Sequence, residues 1–143
     1  MRKEKKELVI IELEGQNMRL EHDFLGNMEV PDDAYYGVQT LRAMENFSIT
    51  GEKLDADFIV AMAIVKKAAA LANIATGRLD PKIGAALVTA ADEVIAGKLH
   101  DQFPVDPIQG GAGTSINMNT NEVLVNRALE LIGEAKGRYD IIS

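Results

Sequence analysis

Apolar residues recur at spacings of three and four through the middle of the chain, which is the periodicity of an amphipathic α-helix. The first such stripe consists of Phe58, Met62, Val65, Ala69 and Ala72. Asp57 directly precedes the stripe and is a suitable N-cap, because a short carboxylate side chain accepts hydrogen bonds from the first backbone amides of a helix. We therefore predict a helix that is capped by Asp57 and buries this stripe in the core.

A second stripe with the same spacing predicts the next helix. Its core residues are Ile83, Leu87, Ala90 and Val94. Asp80 followed by Pro81 is typical of a helix start, and Gly97 is typical of a helix end. The connection around Gly77 and Arg78 is short, so the two helices are predicted to be antiparallel neighbours.

A third helix is predicted to begin near Ile116 or Asn117 and to run to Ile132, with Gly133 as its stop. Apolar residues leave this helix little polar surface, which indicates burial on most sides. Asn117 and Asn121 nevertheless continue its core stripe, and buried amides need hydrogen-bond partners. Two interpretations stay open: the amides are satisfied structurally, or they line a polar pocket at the helix start.

The region before the helices predicts a small β-hairpin. Leu20, His22 and Phe24 alternate with polar residues, and Gly26 with Asn27 forms a turn signal. We expect His22 to be a half-buried strand residue without a catalytic role. The predicted fold is therefore mainly α: a small N-terminal β-hairpin, then short and long helices packed as an irregular bundle.

Residues 1–17 are interpreted as an N-terminal arm, and residues 18–143 as one helical domain. The apolar run at residues 8–11 ends at Glu12, so it is shorter than the roughly 7–15 residues of a signal-peptide core. We also expect no segment that approaches the ~20 apolar residues needed to cross a bilayer. These features predict a cytoplasmic protein.

Composition narrows the function classes further. The chain has 22 acidic and 15 basic residues and a formal charge of −7, whereas nucleic-acid-binding proteins are normally basic. It has no cysteine, which excludes disulfides, thiolate nucleophiles and cysteine metal sites. Its two histidines, His22 and His100, are far apart in the sequence, so we expect no metal site. The acidic net charge leads us to expect no nucleic-acid partner.

The segment Gly110-Gly111-Ala112-Gly113-Thr114-Ser115 carries the candidate chemistry. Glycines allow a close approach of the backbone to a ligand, and the helix start that follows favours an anion. The segment lacks the Gly-Lys-Ser/Thr ending of a Walker A loop and the third glycine of a dinucleotide fingerprint. Carboxylate is therefore favoured over phosphate. The same composition also occurs at purely structural helix starts, so spacing alone leaves both interpretations open.

Several blocks of the chain resemble the aspartase/fumarase superfamily in one register over about residues 18–143. The blocks are Ala34-Tyr35-Tyr36-Gly37-Val38-Gln39-Thr40-Leu41-Arg42, Val65-Lys66-Lys67-Ala68-Ala69-Ala70, Ala91-Asp92-Glu93-Val94 and Gly110-Gly111-Ala112-Gly113-Thr114-Ser115-x-Asn117-Met118-Asn119-x-Asn121-Glu122. Within the superfamily, Phe103-Pro104-Val105-Asp106 and the alanine and serine of Gly111-Ala112-Gly113-Thr114-Ser115 are more similar to aspartases than to class II fumarases.

The resemblance implies reversible deamination of L-aspartate to fumarate and ammonia, through an enediolate that needs hydrogen-bond donors and no cofactor. It implies that Thr114 contacts a carboxylate of this dicarboxylate substrate. Ser115 and Asn117 are adjacent candidates, and Arg42 is either a cation at the site edge or a structural salt-bridge partner.

The resemblance also implies a longer parent protein that forms a homotetramer. Superfamily members carry their catalytic serine in a later domain, so this chain is expected to be an N-terminal domain with one wall of the site and no catalytic base. The isolated domain is then expected to be inactive and to self-associate. Two alternatives stay open: the N-terminal domain of a class II fumarase, and a non-catalytic helical assembly module in which the glycine segment only caps a helix.

Overall fold

A computed structural model describes residues 17–142, and these residues form a two-stranded sheet followed by helices. Strand β1 (Met18–Asp23) pairs antiparallel with β2 (Gly26–Pro31). The α-helices are α1 (Val38–Asn46), α2 (Ala56–Ala75), α3 (Pro81–Ile95) and α4 (Thr114–Leu131), and a 3-10 turn (His100–Gln102) lies between α3 and α4. The mainly α architecture is confirmed. The predicted N-terminal arm lies outside the described residues except for Asn17.

Helix α4 is the central element, since it packs against each of the other three helices. Its burial on most sides is confirmed, although it begins at Thr114, earlier than predicted. The earlier start arises because Gly113 is the N-cap, with a φ of 67° that glycine adopts without steric cost. The end is as predicted, because Gly133 follows the helix with a φ of 86°.

The core lies where α4 meets α2, α3 and the segment after the 3-10 turn. Ala90 and Val94 of α3 are fully buried, and Ile83 and Leu87 pack against the buried clusters, so the predicted α3 stripe is confirmed. The predicted start of α3 is also confirmed, because the Asp80 carboxylate accepts from the backbone amides of residues 82 and 83. Helices α2 and α3 are packed neighbours, as the short connection predicted.

The predicted core stripe of α2 is wrong. Phe58 and Val65 are 45% and 62% exposed, whereas the buried residues of the helix are Ile59, Ala63 and Ala70. The helix is apolar around most of its circumference, so three-four spacing occurs on several faces at once, and contact with α3 and α4 selects one of them. The sequence pattern alone therefore does not determine which face of α2 is buried.

Two further details of α2 differ from the prediction. The N-cap is Asp55, whose carboxylate accepts from the amide of Asp57 at 2.8 Å. The 20-residue helix is also long and apolar enough to cross a membrane, contrary to our expectation. Its most apolar 18-residue stretch has a mean hydropathy of 1.8, and 11% of that stretch is buried. Lys66 and Lys67 interrupt it near the middle. We call its exposed apolar surface the α2 outer face; it consists of Phe58, Ala61, Ile64, Val65, Ala68, Leu71 and Ala72.

The hairpin is confirmed, but its turn and its buried face are not as predicted. The turn is formed by Phe24 and Leu25, and Gly26 already belongs to β2. His22 is exposed and Phe24 is 90% exposed, while Glu21 is buried. The reason is that the Glu21 carboxylate accepts hydrogen bonds at the start of α1, which turns the apolar side of β1 outward.

Candidate functional site

The glycine-rich segment ends directly at the N-terminus of α4. Thr114 and Ser115 are the first two helical residues, and their backbone amides have no acceptor within residues 17–142. The side chain of Gln109 accepts from the amide of Ile116 at 3.0 Å and donates to the carbonyl of Asp106 at 2.9 Å. Gln109 therefore supplies the side-chain cap, and two amides at the positive end of the helix dipole remain available to an anion.

The Thr114 hydroxyl makes no hydrogen bond within the described part of the chain, and the side chain is exposed. Thr114 therefore does not cap its own helix. A helix-capping threonine would precede the first turn, and that position is held by Gly113.

A cleft of about 170 Å³ lies between the hairpin turn, α1 and the start of α4. It is lined by Asp23, Phe24, Leu25, Gln39, Arg42, Ala43, Asn46, Phe47, Thr114, Ser115 and Met118. The structure thus brings together three of the four predicted site residues, Arg42, Thr114 and Ser115. Asn117 does not line this cleft.

Arg42 faces the cleft from α1 and is also an ion-pair partner. Its guanidinium binds both carboxylate oxygens of Asp23 at 2.9 Å and donates to the carbonyl of Gly26 at 3.0 Å. The same contact lowers the pKa of Asp23 below its ordinary value. Arg42 therefore fixes the hairpin turn against α1, with its charge largely committed to Asp23.

Asn117 has a different partner. Its side-chain oxygen accepts from Nζ of Lys66 at 2.6 Å, and Asn121 contacts the sulfur of Met118 at 3.7 Å. Burial lowers the pKa of Lys66. The Asn117 amide is thus satisfied by a cation from α2 rather than by a neighbour on α4.

Sequence reasoning missed the two buried carboxylates that hold α1 in place. The four backbone amides at the start of α1, residues 37–40, all donate to carboxylates. Glu122 of α4 accepts from three of them at 2.8–3.0 Å and from the Thr40 hydroxyl at 2.6 Å. Glu21 accepts from the fourth, Val38, at 2.9 Å. Burial raises the pKa of Glu122 although these donors oppose the shift.

A third missed carboxylate, Asp106, anchors the glycine-rich segment from its other end. It accepts from the backbone amides of residues 49, 50, 51 and 108 and from the Thr50 hydroxyl, at 2.7–3.1 Å. Burial by itself would raise the pKa of Asp106, but these donors favour the ionised form and lower it to about 2. An aspartate before proline was the available signal, since such residues often bond to the backbone two positions later.

Comparison with known proteins identifies the family of the chain. The profile of a family described as lyase matches residues 26–140. An aspartate ammonia-lyase from Bacillus sp. is 64% identical over 127 residues, which are 89% of this chain and 27% of that protein. The chain therefore spans about 27% of the length of this curated relative.

Two solved structures are also similar. A fumarate lyase:delta crystallin from Brucella melitensis has 51% sequence identity and a TM-score of 0.86, covering 88% of this chain and 28% of that one. A class II fumarase from Schistosoma mansoni has 38% identity and a TM-score of 0.81, covering 85% of this chain and 26% of that one. The sequence matches and the shared helical fold agree, and the chain belongs to the lyase family as an N-terminal domain of the aspartase/fumarase superfamily.

Proposed function

We propose that the full-length protein is an aspartate ammonia-lyase, and that this chain provides one carboxylate-binding wall of its active site. The observation that carries the proposal is the start of α4, where Thr114 and Ser115 line the cleft and their backbone amides have no acceptor in the described residues. The similarity to the aspartate ammonia-lyase from Bacillus sp. supports L-aspartate as the substrate.

The chemistry needs donors at this position. When a base removes a proton from Cβ of aspartate, the adjacent carboxylate gains negative charge and becomes an enediolate. Donors that are already oriented stabilise this charge without reorganising during the reaction. The Thr114 and Ser115 amides have that orientation because α4 is held by the core, and the Thr114 hydroxyl adds a third donor.

Arg42 has a positioning role in this proposal. Its bidentate contact with Asp23 leaves it poorly suited to bind a substrate carboxylate directly. It holds the hairpin turn, which closes one side of the cleft next to Thr114. None of the residues in this chain is assigned as the catalytic base, and we propose that the base lies in a later part of the full-length protein.

The principal alternative is a class II fumarase, which the similarity to the Schistosoma mansoni enzyme favours. The test is to offer the purified full-length protein L-aspartate and L-malate in separate reactions and to follow fumarate in both. We expect fumarate from L-aspartate only. Fumarate from L-malate only would establish the fumarase instead.

A second alternative is a non-catalytic assembly module, which the exposed α2 outer face favours. The deciding measurement is hydrogen exchange at the amides of residues 110–115 in the full-length protein, with and without succinate. Our proposal predicts slower exchange with succinate, and an assembly module predicts no change.

We propose a cytoplasmic homotetramer that acts on the dicarboxylates L-aspartate and fumarate. The net charge of −7 opposes binding to nucleic-acid phosphates, so no nucleic-acid partner is proposed.

A further inference from the structure

Glu122 is a buried carboxylate that joins two helices bordering the cleft. It lies on α4, is 3% exposed, and accepts from the backbone amides of residues 37, 39 and 40 and from the Thr40 hydroxyl at 2.6–3.0 Å. Within residues 17–142, these four are the hydrogen bonds that join α1 and its N-cap to α4. One carboxylate therefore supplies the directional contacts between the two helices in this part of the chain.

Glu122 shares one side of α4 with two residues that line the cleft. Ser115 and Met118 precede it by seven and four residues, which are about two turns and one turn of an α-helix. At a rise of 1.5 Å per residue, Glu122 lies ~10 Å along the helix axis from Ser115. It is not a lining residue of the cleft, so any effect of Glu122 on the cleft is transmitted through α1.

Helix α1 extends from Glu122 to the cleft. Its first residues bond to Glu122, and Arg42 and Asn46, further along the helix, line the cleft. Gln39 takes part in both, because its backbone amide donates to Glu122 at 2.8 Å and it is also a lining residue. The backbone hydrogen bonds of a short helix are internal, so its turns move together. The position of the first turn of α1 therefore determines where its cleft-lining residues lie.

The other contacts of α1 do not fix its register against α4. Ala43 is its buried apolar residue beyond the first turn, and apolar contacts are not directional. Glu21 accepts from the amide of Val38, and Arg42 pairs with Asp23, but both carboxylates belong to the hairpin. These two contacts orient α1 against β1, which leaves Glu122 as its polar contact with α4 among the described residues.

We propose that Glu122 is a positioning residue, which sets the register of α1 on α4 and thereby the width of the cleft between them. The proposal rests on the proposed function only for its kinetic consequence. If the cleft binds the reacting substrate, displacing one wall by about 1 Å can lower the rate about 100-fold, although the displaced group takes no part in the chemistry.

The test compares Glu122→Gln with Glu93→Gln in the full-length protein. Glutamine keeps the shape of the Glu122 side chain but places an NH₂ group against donors, so at least one of the four bonds is lost. Glu93 is the matched control, because its carboxylate joins α3 to α4 through Arg127 at 2.6 and 2.9 Å, and neither residue lines the cleft. Both variants should have a lower thermal midpoint than the wild type.

The kinetic readout separates positioning from stability. We expect kcat/KM to fall about 10- to 100-fold in Glu122→Gln and to stay unchanged in Glu93→Gln. Both are measured well below their midpoints, with whichever of L-aspartate and L-malate the wild type converts to fumarate. A purely structural role would lower the midpoint of Glu122→Gln and leave its kinetics unchanged. That result, or an equal fall in Glu93→Gln, would overturn the proposal.

Hydrogen exchange gives a second readout that needs no turnover. The amides of residues 43–47, at the cleft end of α1, should exchange faster in Glu122→Gln than in the wild type and at the wild-type rate in Glu93→Gln. Unchanged exchange there in Glu122→Gln would overturn the positioning role. A wild-type protein without turnover would contradict the proposed function, and the exchange rates would still decide this inference.

A milder variant keeps the test decisive if Glu122→Gln does not fold. Thr40→Val keeps the branched shape and removes only the hydroxyl that donates to Glu122 at 2.6 Å. Both readouts should then change in the same direction as in Glu122→Gln, by a smaller factor. Wild-type kinetics together with wild-type exchange at residues 43–47 in Thr40→Val would overturn the proposal.

Discussion

Thr114 is exposed and lines the cleft, and its hydroxyl makes no hydrogen bond within the described residues. Thr114→Val keeps the branched shape and removes only this hydroxyl. If it donates to the substrate carboxylate, losing a charge-assisted bond of roughly 1.5–3 kcal/mol lowers kcat/KM about 10- to 150-fold in the full-length protein. The thermal midpoint should stay close to that of the wild type, because Gly113 and Gln109 cap the helix.

The control for this variant is Thr89→Val on the exposed side of α3. Within the described residues the Thr89 hydroxyl bonds only to the carbonyl of Ala85 in its own helix, so both the kinetics and the midpoint should be little changed. A Thr114→Val enzyme with wild-type kcat/KM would contradict the assignment of Thr114 as a substrate ligand.

Asp106 gives a pH-dependent prediction. Its folded pKa of about 2 lies below the ordinary value of 3.8, so its contribution to stability is fully present above pH 4 and is lost as pH falls towards 2. Asp106→Asn removes the charged acceptor. We therefore expect its urea midpoint to lie below that of the wild type at neutral pH, and the difference to shrink as the pH falls from 4 to 2. A difference in urea midpoint that stays constant with pH would contradict a stabilising role of the ionised Asp106 carboxylate.

Residue-level prediction from the sequence depends on a contiguous motif. The glycine-rich segment and Thr114 are adjacent in the sequence, so a local pattern identifies them. Glu21, Asp106 and Glu122 bond to amides 17, 56 and 85 residues away in the chain, at residues 38, 50 and 37. No local pattern shows that an acidic residue will be buried against a distant helix start.

At the scale of elements, the junction before α1 is held by a close approach at Gly37. A Cβ added there would lie 2.6 Å from a Glu21 oxygen and 2.9 Å from a Glu122 oxygen, and would also overlap the Tyr139 hydroxyl. Gly37→Ala should therefore displace buried hydrogen-bonded groups and destabilise the fold by about 2–4 kcal/mol. Chemical denaturation of the isolated chain measures this loss.

Gly111→Ala is the matched variant for that experiment. A Cβ at Gly111 would have no neighbour within 4 Å, so stability should change little. Equal stability of the two variants would show that the buried carboxylates do not constrain the start of α1.

The buried face was predicted correctly for α3 but not for α2 or β1, and the reason is physical. Helix α3 has one apolar stripe and polar residues opposite it, so its buried face follows from the sequence. Helix α2 is apolar on most sides, and its buried face depends on where α3 and α4 lie. The face of β1 was likewise decided by the partner of Glu21 and not by strand alternation.

At the scale of the whole molecule, the α2 outer face predicts association. Apolar patches beyond a few hundred Å² tend to be covered by another protein surface. We expect the isolated chain to form reversible dimers or larger species at high concentration, measured by light scattering over a dilution series. A mass that stays monomeric over a wide concentration range would contradict this expectation.

A pair of variants locates the associating surface. Val65→Glu introduces a charge at a residue of the α2 outer face that is 62% exposed, so association should require a higher protein concentration. Ala85→Glu introduces the same charge at an exposed position on α3 and should leave association unchanged. Equal effects of the two variants would indicate a general charge effect.

The isolated chain should also lack activity, because the proposed site needs a base and further ligands from elsewhere in the full-length protein. Incubation of residues 1–143 with L-aspartate should release no ammonia above the buffer blank. Release that increases with protein concentration would mean that this domain carries a base of its own.

Whether the full-length protein adds ammonia or water to fumarate is decided by the loss of fumarate absorbance in the purified protein, recorded with and without ammonia. We expect fumarate to be consumed only when ammonia is present, because the reverse reaction adds ammonia across the double bond to form L-aspartate. Consumption at the same rate without ammonia would show that water is added instead, and would contradict the assignment as an aspartate ammonia-lyase.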